Sequence, residues 1–295
     1  MKILSCLIIC LNSLLSYAQP STDIYLFDMK IKNGNISLSN PVNITHRKGY
    51  DNQPSFSPKG SLIYYTSAVD TLGNTDIKTY NYVTKKTNFF THTPEGEYSP
   101  TITPDGKYLS CIFAKNVGKK NVTQYLVKYP VGEGMPIVLI DNLVVGYHAW
   151  INKNQLVLFV LGDSGKNTLR FYNLATKVDK FIFDNPGRTI QKIPGENAVG
   201  FIDKSDSSNI MTRKINVSTF QISNVCKTIE GGEFVTWINK NLILMSDGRN
   251  IFFNRLQKDK GWEKIKINSN MSYLKGITRL AANVDGTKLA VVVAE

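Results

Sequence analysis

GYDNQPSFSPKG, at residues 49–60, and GEYSPTITPDG, at residues 96–106, are two copies of one pattern in this chain of 295 residues. Each copy follows a Thr-His pair and leads, through a turn rich in Pro and Gly, into an apolar segment, 62–66 or 108–113. The glycines that close the two turns lie 46 residues apart. A repeat of roughly 40 to 50 residues made of short strands is typical of the blades of a β-propeller.

Weaker copies of the pattern continue along the chain. GYHAWINKN at 146–154 and GEFVTWINKN at 232–241 resemble each other, a degenerate copy begins at Gly187, and a sixth begins at Gly276. The leading glycines are therefore spaced by 47, 50, 41, 45 and 44 residues. No segment shows a sustained period of 3.6 residues, so we expect few helices. Six blades fit this spacing, and five or seven remain alternatives because the fourth copy is degenerate.

The two ends of the chain complement each other. The sixth unit stops at Glu295 after two strands, whereas residues 23–28 resemble the third strand of a blade and residues 36–44 the fourth. Pairing strands from both termini closes a ring and removes unpaired sheet edges. The sequence therefore predicts an all-β, six-bladed propeller that forms a single domain over residues 19–295, with the last blade closed by both termini.

Residues 1–18 have the pattern of a signal peptide, with Lys2, an apolar run at 3–15, and the small residues Ser16 and Ala18 at the two positions that a signal peptidase reads. Cleavage after Ala18 would leave a secreted or periplasmic protein. The run is too short for a membrane span, which needs about 20 apolar residues. Cleavage would also leave two cysteines, Cys111 and Cys226, in strand-like surroundings, where free buried thiols are more common than a disulfide.

The first two copies carry a recognisable family pattern. QPSFSPKG at 53–60, IYYTS at 63–67 and GNTDI at 73–77 resemble the WD40-like (PD40) repeat of TolB-type propellers. The resemblance weakens in the other four copies. TolB carries an additional N-terminal α/β domain, for which this chain has no room. The resemblance implies a protein that binds a protein or peptide partner at the mouth of its channel, without a cofactor.

Side chains in the loops that lead into the inner strands are the candidate partner-binding groups. An aromatic residue after the leading glycine recurs in four blades and suits a peptide or a carbohydrate, because it combines a large contact area with a polar tip. Packing between blades is the alternative explanation. The candidates are His46, Tyr50, Asp51, His92, Glu97, Tyr98, Tyr147, His148, Arg188, Glu233, Phe234, Lys275 and Arg279.

Other chemistry is weakly supported by the sequence. GDSG at 162–165 matches the nucleophile motif of trypsin-like proteases but occupies a hairpin position, so we expect a turn. The three histidines could meet on one rim and form a metal site, or pair with rim carboxylates in an enzyme that acts on a polysaccharide or a peptide. We expect no metal, because no recognisable metal motif is present.

The composition gives no sign of nucleic-acid binding. The chain is 42% hydrophobic and 20% charged, as expected of a globular protein, and its formal charge is +12. The basic pairs fall in turns without interleaved aromatic residues, so the surplus charge fits a solvated surface better than a nucleic-acid groove.

Overall fold

The computed structural model describes residues 19–70, 73–117, 122–132, 134–258, 260–267 and 273–295. These residues form β-strands and one short 3₁₀ turn, Asp163–Gly165, which lies in the GDSG segment between two strands as predicted. None of the described helical structure is long and apolar enough to cross a membrane. The signal peptide predicted at residues 1–18 lies outside the described residues, and its cleavage stays a prediction.

The strands alternate with tight turns along the whole described chain. In chain order they are β1 (Thr22–Lys32), β2 (Asn35–Asn43), β3 (Asp51–Phe56), β4 (Leu62–Ala68), β5 (Thr75–Asn81), β6 (Lys86–Phe89), β7 (Gly96–Ile102), β8 (Tyr108–Lys115), β9 (Thr123–Pro130), β10 (Ile137–Ile140), β11 (Val145–Asn152), β12 (Gln155–Val160), β13 (Thr168–Asn173), β14 (Val178–Asp184), β15 (Pro186–Lys192), β16 (Ala198–Asp203), β17 (Met211–Asn216), β18 (Ile222–Lys227), β19 (Val235–Asn239), β20 (Leu242–Ser246), β21 (Ile251–Arg255), β22 (Trp262–Lys264), β23 (Lys266–Ile267), β24 (Arg279–Ala282) and β25 (Lys288–Ala294).

Six sheets form the six blades of a propeller, which confirms the predicted fold class. Blades 1 to 5 are β3–β6, β7–β10, β11–β14, β15–β18 and β19–β22, each an antiparallel sheet of four consecutive strands. Blade 6 has the order β23-β2-β1-β25-β24, so strands from both ends of the chain share one sheet. The pairing of β1 with β25 runs from Thr22 opposite Ala294 to Asp28 opposite Lys288. The predicted closure is therefore confirmed.

The hydrophobic core lies between neighbouring blades. Between blades 6 and 1, for example, Ile24 and Val292 pack with Ile63 and Tyr65, and all four are 2% exposed or less. This arrangement follows from the alternation of side chains along each strand, which gives both faces of every blade an apolar surface to bury. Cys111 is buried and Cys226 is half-buried, and both are free thiols.

Gly200 allows an unusually close contact between blades 4 and 5. A Cβ atom built on Gly200 would lie 2.2 Å from Nε1 of Trp237, which is itself 2% exposed. We expect Gly200→Ala to lower the free energy of unfolding by about 1 to 3 kcal/mol, because the indole has no room to move. The measurement is denaturant unfolding of both proteins. Trp237→Phe removes the clashing atom and should recover part of the loss in the double variant; a loss unchanged by Trp237→Phe would contradict the steric explanation.

Glutamines of the inner strands connect neighbouring blades around the central channel. Gln53 sits at a bulge with φ of 56°, and its Oε1 accepts hydrogen bonds from the Ser99 backbone N–H (2.7 Å) and from Thr66 Oγ1 (2.9 Å). Between blades 4 and 5, Gln191 accepts from the Trp237 N–H (2.9 Å) and donates to the Trp237 carbonyl (3.2 Å). These bonds fix the spacing of the inner strands that carry the candidate site.

Candidate functional site

The face on which the inner strands begin opens into a cavity that continues into the central channel. The outer part, here called the mouth cavity, has a volume of about 700 Å³, and the channel beneath it about 490 Å³. Five residues line both: Gln53, Tyr147, Arg188, Phe234 and Arg279. The mouth cavity and the channel therefore adjoin each other and share part of their lining.

Seven of the thirteen candidate residues line the mouth cavity. They are Tyr50, Tyr98, Tyr147, Arg188, Glu233, Phe234 and Arg279. His148 lines the channel below, and the remaining candidates, His46, Asp51, His92, Glu97 and Lys275, line neither space. The structure thus brings the aromatic and arginine candidates together in the mouth cavity. The acids of blades 1 and 2, two of the three histidines and Lys275 lie outside it.

Arg279 crosses the ring between opposite blades. It begins β24 in blade 6, yet its Nη2 donates a hydrogen bond to the hydroxyl oxygen of Tyr147 in blade 3, at 2.8 Å. Its guanidinium carbon lies 4.1 Å from the ring centre of Phe234 and 5.1 Å from that of Tyr147. Stacking on aromatic rings and one hydrogen bond hold the guanidinium at the junction of mouth and channel.

The tyrosines Tyr50 and Tyr98 reach the mouth from different backbone positions. Asp51 is opposite Ser67 in blade 1, as Glu97 is opposite Phe113 in blade 2, so these two acids are equivalent. Tyr50 precedes its acid and Tyr98 follows its own, although both follow a leading glycine closely in the sequence. Burial raises the pKa of both phenols, so they remain protonated hydrogen-bonding groups at neutral pH.

Tyr98 has a structural contact as well as a place in the mouth. Its hydroxyl donates to the carbonyl of Gly73 in the preceding blade, at 2.9 Å, and accepts from Nε2 of Gln19 at 3.4 Å. The Tyr98 side chain therefore packs against the preceding blade and also lines the mouth cavity. Packing between blades and an aromatic cavity wall, the two explanations that the sequence left open for the aromatic residues, both apply to it.

The two equivalent acids, Asp51 and Glu97, are buried behind the mouth cavity and do not face it. Asp51 and Glu97 are each 0% exposed. Thr22 Oγ1 donates to the backbone carbonyl of Asp51 (2.9 Å), and Thr75 Oγ1 donates to that of Glu97 (2.8 Å). Both acids thus lie in the same repeated junction between blades.

The two junctions differ in charge because one position of the repeat carries a different residue in each. In the first, Arg47 Nη2 donates to Asp51 Oδ1, and its Nε lies 3.0 Å from Oδ2. In the second, Thr93 occupies the position equivalent to Arg47, and Glu97 accepts from the hydroxyls of Thr93 (2.6 Å) and Tyr129 (3.0 Å). Burial without a cationic partner raises the pKa of Glu97 to about 7, with a further contribution from the nearby Asp76.

The three histidines do not converge. His46 and His92 are exposed, and Nδ1 of His92 lies 3.6 Å from Asp76 Oδ2. His148 is buried, and burial lowers its pKa to about 4, so it is neutral at pH 7. Across the described ranges, no three His, Cys, Asp or Glu side chains are grouped so as to hold a metal ion. The rim metal site considered for the histidines is therefore not assembled by these side chains.

His148 takes part in a buried hydrogen-bond network that the sequence did not reveal. Its Nε2 lies 2.7 Å from Ser110 Oγ, which also accepts from Trp150 Nε1 (2.8 Å) and donates to the Thr101 carbonyl (2.9 Å). A hydroxyl has one proton to donate, so with this bond to Thr101 the imidazole carries its proton on Nε2. Ser110 is 0% exposed, which makes the pair a structural contact between blades 2 and 3 rather than an accessible nucleophile and base.

Among the comparisons with known proteins, the one with solved structures identifies the fold. A scan of protein-family models finds no match, and a search among curated proteins finds none either. Among solved structures, the chain matches a TolB-type protein from Agrobacterium tumefaciens with a TM-score of 0.66 and 12% identity, over 94% of this chain and 99% of that one.

Two further solved structures extend the comparison. TolB from Acinetobacter baumannii matches with a TM-score of 0.61 and 11% identity, over 93% of this chain but 64% of that one. An oligogalacturonate lyase in complex with manganese matches with a TM-score of 0.52 and 10% identity, over 94% of this chain and 98% of that one. The chain is thus a six-bladed β-propeller with a TolB-like fold. These similarities concern the fold alone, and the same fold occurs in TolB-type proteins and in an enzyme, the oligogalacturonate lyase.

Proposed function

We propose that this protein is a non-catalytic binding module that holds a protein or peptide partner in the mouth cavity. The observation that carries the proposal is the convergence of Tyr50, Tyr98, Tyr147, Phe234 and Arg279 on one open space of about 700 Å³. Aromatic and arginine side chains are enriched at the centres of protein interfaces, because they bury a large area and keep polar groups for specific bonds. The TolB-like fold supports the same function by analogy.

A pull-down from the native envelope tests this proposal. The bait is the mature chain, compared with a Tyr147→Ala/Phe234→Ala variant that removes two side chains of the mouth. The matched control is Phe89→Ala/Phe181→Ala, which truncates two aromatics of outer strands that are 55% and 47% exposed. Circular dichroism and melting curves establish that each variant is folded.

The expected result is one protein that binds the wild type and the control and is lost from the mouth variant. Its purified form, or a peptide from it, should then bind with the same dependence on Tyr147 and Phe234. Equal capture by all three baits would contradict a site in the mouth. Capture of an acidic oligosaccharide in place of a protein would favour a carbohydrate-binding module.

We further propose that the protein acts in the periplasm or outside the cell after cleavage behind Ala18. Gln19 and Pro20 line the mouth cavity, so this cleavage would leave the new N-terminus at the binding face. The intact mass of protein from the native host should correspond to a chain that starts at Gln19, with loss of ammonia where the N-terminal glutamine cyclises. A mass that still includes residues 1–18 would contradict this localisation.

A further inference from the structure

The mouth cavity carries positive charge that its own side chains do not neutralise. Among the described residues that line it, the charged groups are Arg188, Arg279 and Glu233. The carboxylate of Glu233 is bound by Lys204, with 2.9 Å between Nζ and Oε1, and this contact lowers the pKa of Glu233. Neither arginine forms an ion pair with any described residue. Asp51 and Glu97, two of the acids among the candidate residues, are 0% exposed and do not line the mouth cavity.

Arg279 is positioned to bind a planar anion. One of its five N–H groups is used in the bond to Tyr147, and its plane is supported by Phe234. A guanidinium held in this way loses little further side-chain entropy when it binds a carboxylate, and its remaining N–H groups match the two carboxylate oxygens.

Arg188 and Tyr50 line the mouth cavity together with Arg279. Arg188 is exposed in blade 4 and lines both the mouth and the channel. The positive charges of Arg279 and Arg188 both act on the phenol of Tyr50, and both act on Glu233. Two cations from different blades therefore act on the same part of the mouth, between aromatic walls.

We infer that the mouth recognises a carboxylate of its peptide partner, with Arg279 as the main anion-binding group and Arg188 as the second. The aromatic side chains that line the same cavity would accommodate an aromatic or apolar residue next to the acid. The inference rests on the proposed function and specifies the chemistry that the partner presents. The carboxylate belongs either to an Asp or Glu side chain or to the C-terminus of the partner, and the test distinguishes these sources.

Selection from random peptide libraries tests the inference directly, because it requires no purified partner. One library has free C-termini and one has amidated C-termini, and both are selected against the wild-type chain, Arg279→Gln and Lys153→Gln. Lys153 is an exposed residue of the turn between β11 and β12 that lines neither the mouth nor the channel. We expect the wild type and Lys153→Gln to enrich peptides with a carboxylate beside an aromatic residue, and Arg279→Gln to lose that enrichment.

The strongest peptide then gives a quantitative measurement by calorimetry. In one version of this peptide the acidic side chain is replaced by the amide, and in another the free C-terminus is amidated. The replacement that removes the carboxylate bound by the mouth should weaken binding to the wild type roughly 10- to 100-fold. Against Arg279→Gln most of this difference should be lost, and against Arg279→Gln/Arg188→Gln the acid and amide forms should bind equally. Lys153→Gln should retain the full difference.

The possible outcomes separate the inference from the proposed function. Peptides that bind the mouth without any preference for a carboxylate would overturn the inference and leave the proposed function standing. An undiminished preference for the carboxylate in Arg279→Gln/Arg188→Gln would also overturn it. Failure of both libraries to yield any peptide that depends on Tyr147 and Phe234 would contradict both. Binding of an acidic oligosaccharide alone would replace the peptide as the ligand.

Discussion

At pH 8, Glu97→Gln should be more stable than the wild-type protein by roughly 3 kcal/mol. Glu97 is 0% exposed, and burial raises its pKa from 4.5 to about 7. The difference between these two pKa values corresponds to roughly 3 kcal/mol, at about 1.4 kcal/mol for each pH unit. Glutamine keeps an oxygen that accepts from Thr93 and Tyr129 but carries no charge, so it avoids the ionisation that destabilises the folded protein at alkaline pH.

The size of this effect depends on pH. Between pH 4.5 and about 7 the folded protein keeps the proton of Glu97 while the unfolded chain loses it. Relative to Glu97→Gln, the wild type should therefore lose stability as the pH rises through this window, and the difference should stay level above it. Burial of neutral His148, whose pKa is lowered from 6.5 to about 4, changes stability in the opposite direction over part of this range, but it does so equally in both proteins. At pH 4 the two proteins should be equally stable.

Denaturant unfolding from pH 4 to pH 9 measures this prediction, and carboxyl NMR gives the pKa of Glu97 directly. Glu230→Gln, which removes an exposed carboxylate, is the matched control and should follow the wild type. Thr93→Arg should lower the pKa of Glu97, because it places a cation where the first junction has Arg47. A stability difference between the wild type and Glu97→Gln that is the same at pH 4 and at pH 8 would contradict the prediction.

Arg47→Thr should destabilise the protein by about 3 kcal/mol at pH 7, because it leaves a buried carboxylate without its cation. Arg47 Nη2 donates to Asp51 Oδ1, to Ser67 Oγ and to the Ala68 carbonyl, and its Nε contacts the second oxygen of Asp51. Even with Arg47 in place, burial raises the pKa of Asp51. Without the guanidinium the pKa should rise further, so the loss should be largest at neutral and alkaline pH.

The pH dependence distinguishes this cause from a loss of packing. As the pH falls towards 4, Asp51 takes up a proton in the folded variant and the destabilisation should shrink. Arg47→Thr/Asp51→Asn removes the charge altogether and should recover much of the loss at pH 7. A loss that is equal at every pH would show that Arg47 acts through its bonds to Ser67 and Ala68 instead.

The architecture could be predicted because its signals are local and repeated. Turn residues at 57–60 and 103–106, with apolar strands after them, set the period of the blades. The third-strand pattern of residues 23–28 and the unfinished unit at the C-terminus predicted the mixed blade that β1 and β25 form. These features depend on neighbours in the sequence and on the requirement that sheet edges be paired.

The site could be predicted in part. The segments that lead into the inner strands supplied Phe234, just before β19, and Tyr147 and Arg279, near the starts of β11 and β24, and these three do meet in the mouth. The pattern of a leading glycine followed by an aromatic residue also treated Tyr50 and Tyr98 as equivalent. In the structure they are not equivalent, because Tyr50 precedes Asp51 whereas Tyr98 follows Glu97. The alternation of a strand sends adjacent side chains to opposite sides, so a shift of one residue decides whether a side chain faces the mouth or the interior.

The sequence by itself determined the period of the blades, the closure by both termini and the segments that surround the channel, because periodic patterning and turn chemistry act over short distances. It favoured six blades over five or seven, and the six sheets of the structure decided the number. The tertiary structure decided which charges remain at the mouth. Asp51 and Glu97 are buried between blades, whereas Arg279 reaches across the ring to Tyr147, 132 residues away in the chain. Contacts between opposite blades depend on the closed geometry of the ring, and a repeat pattern carries no information about them.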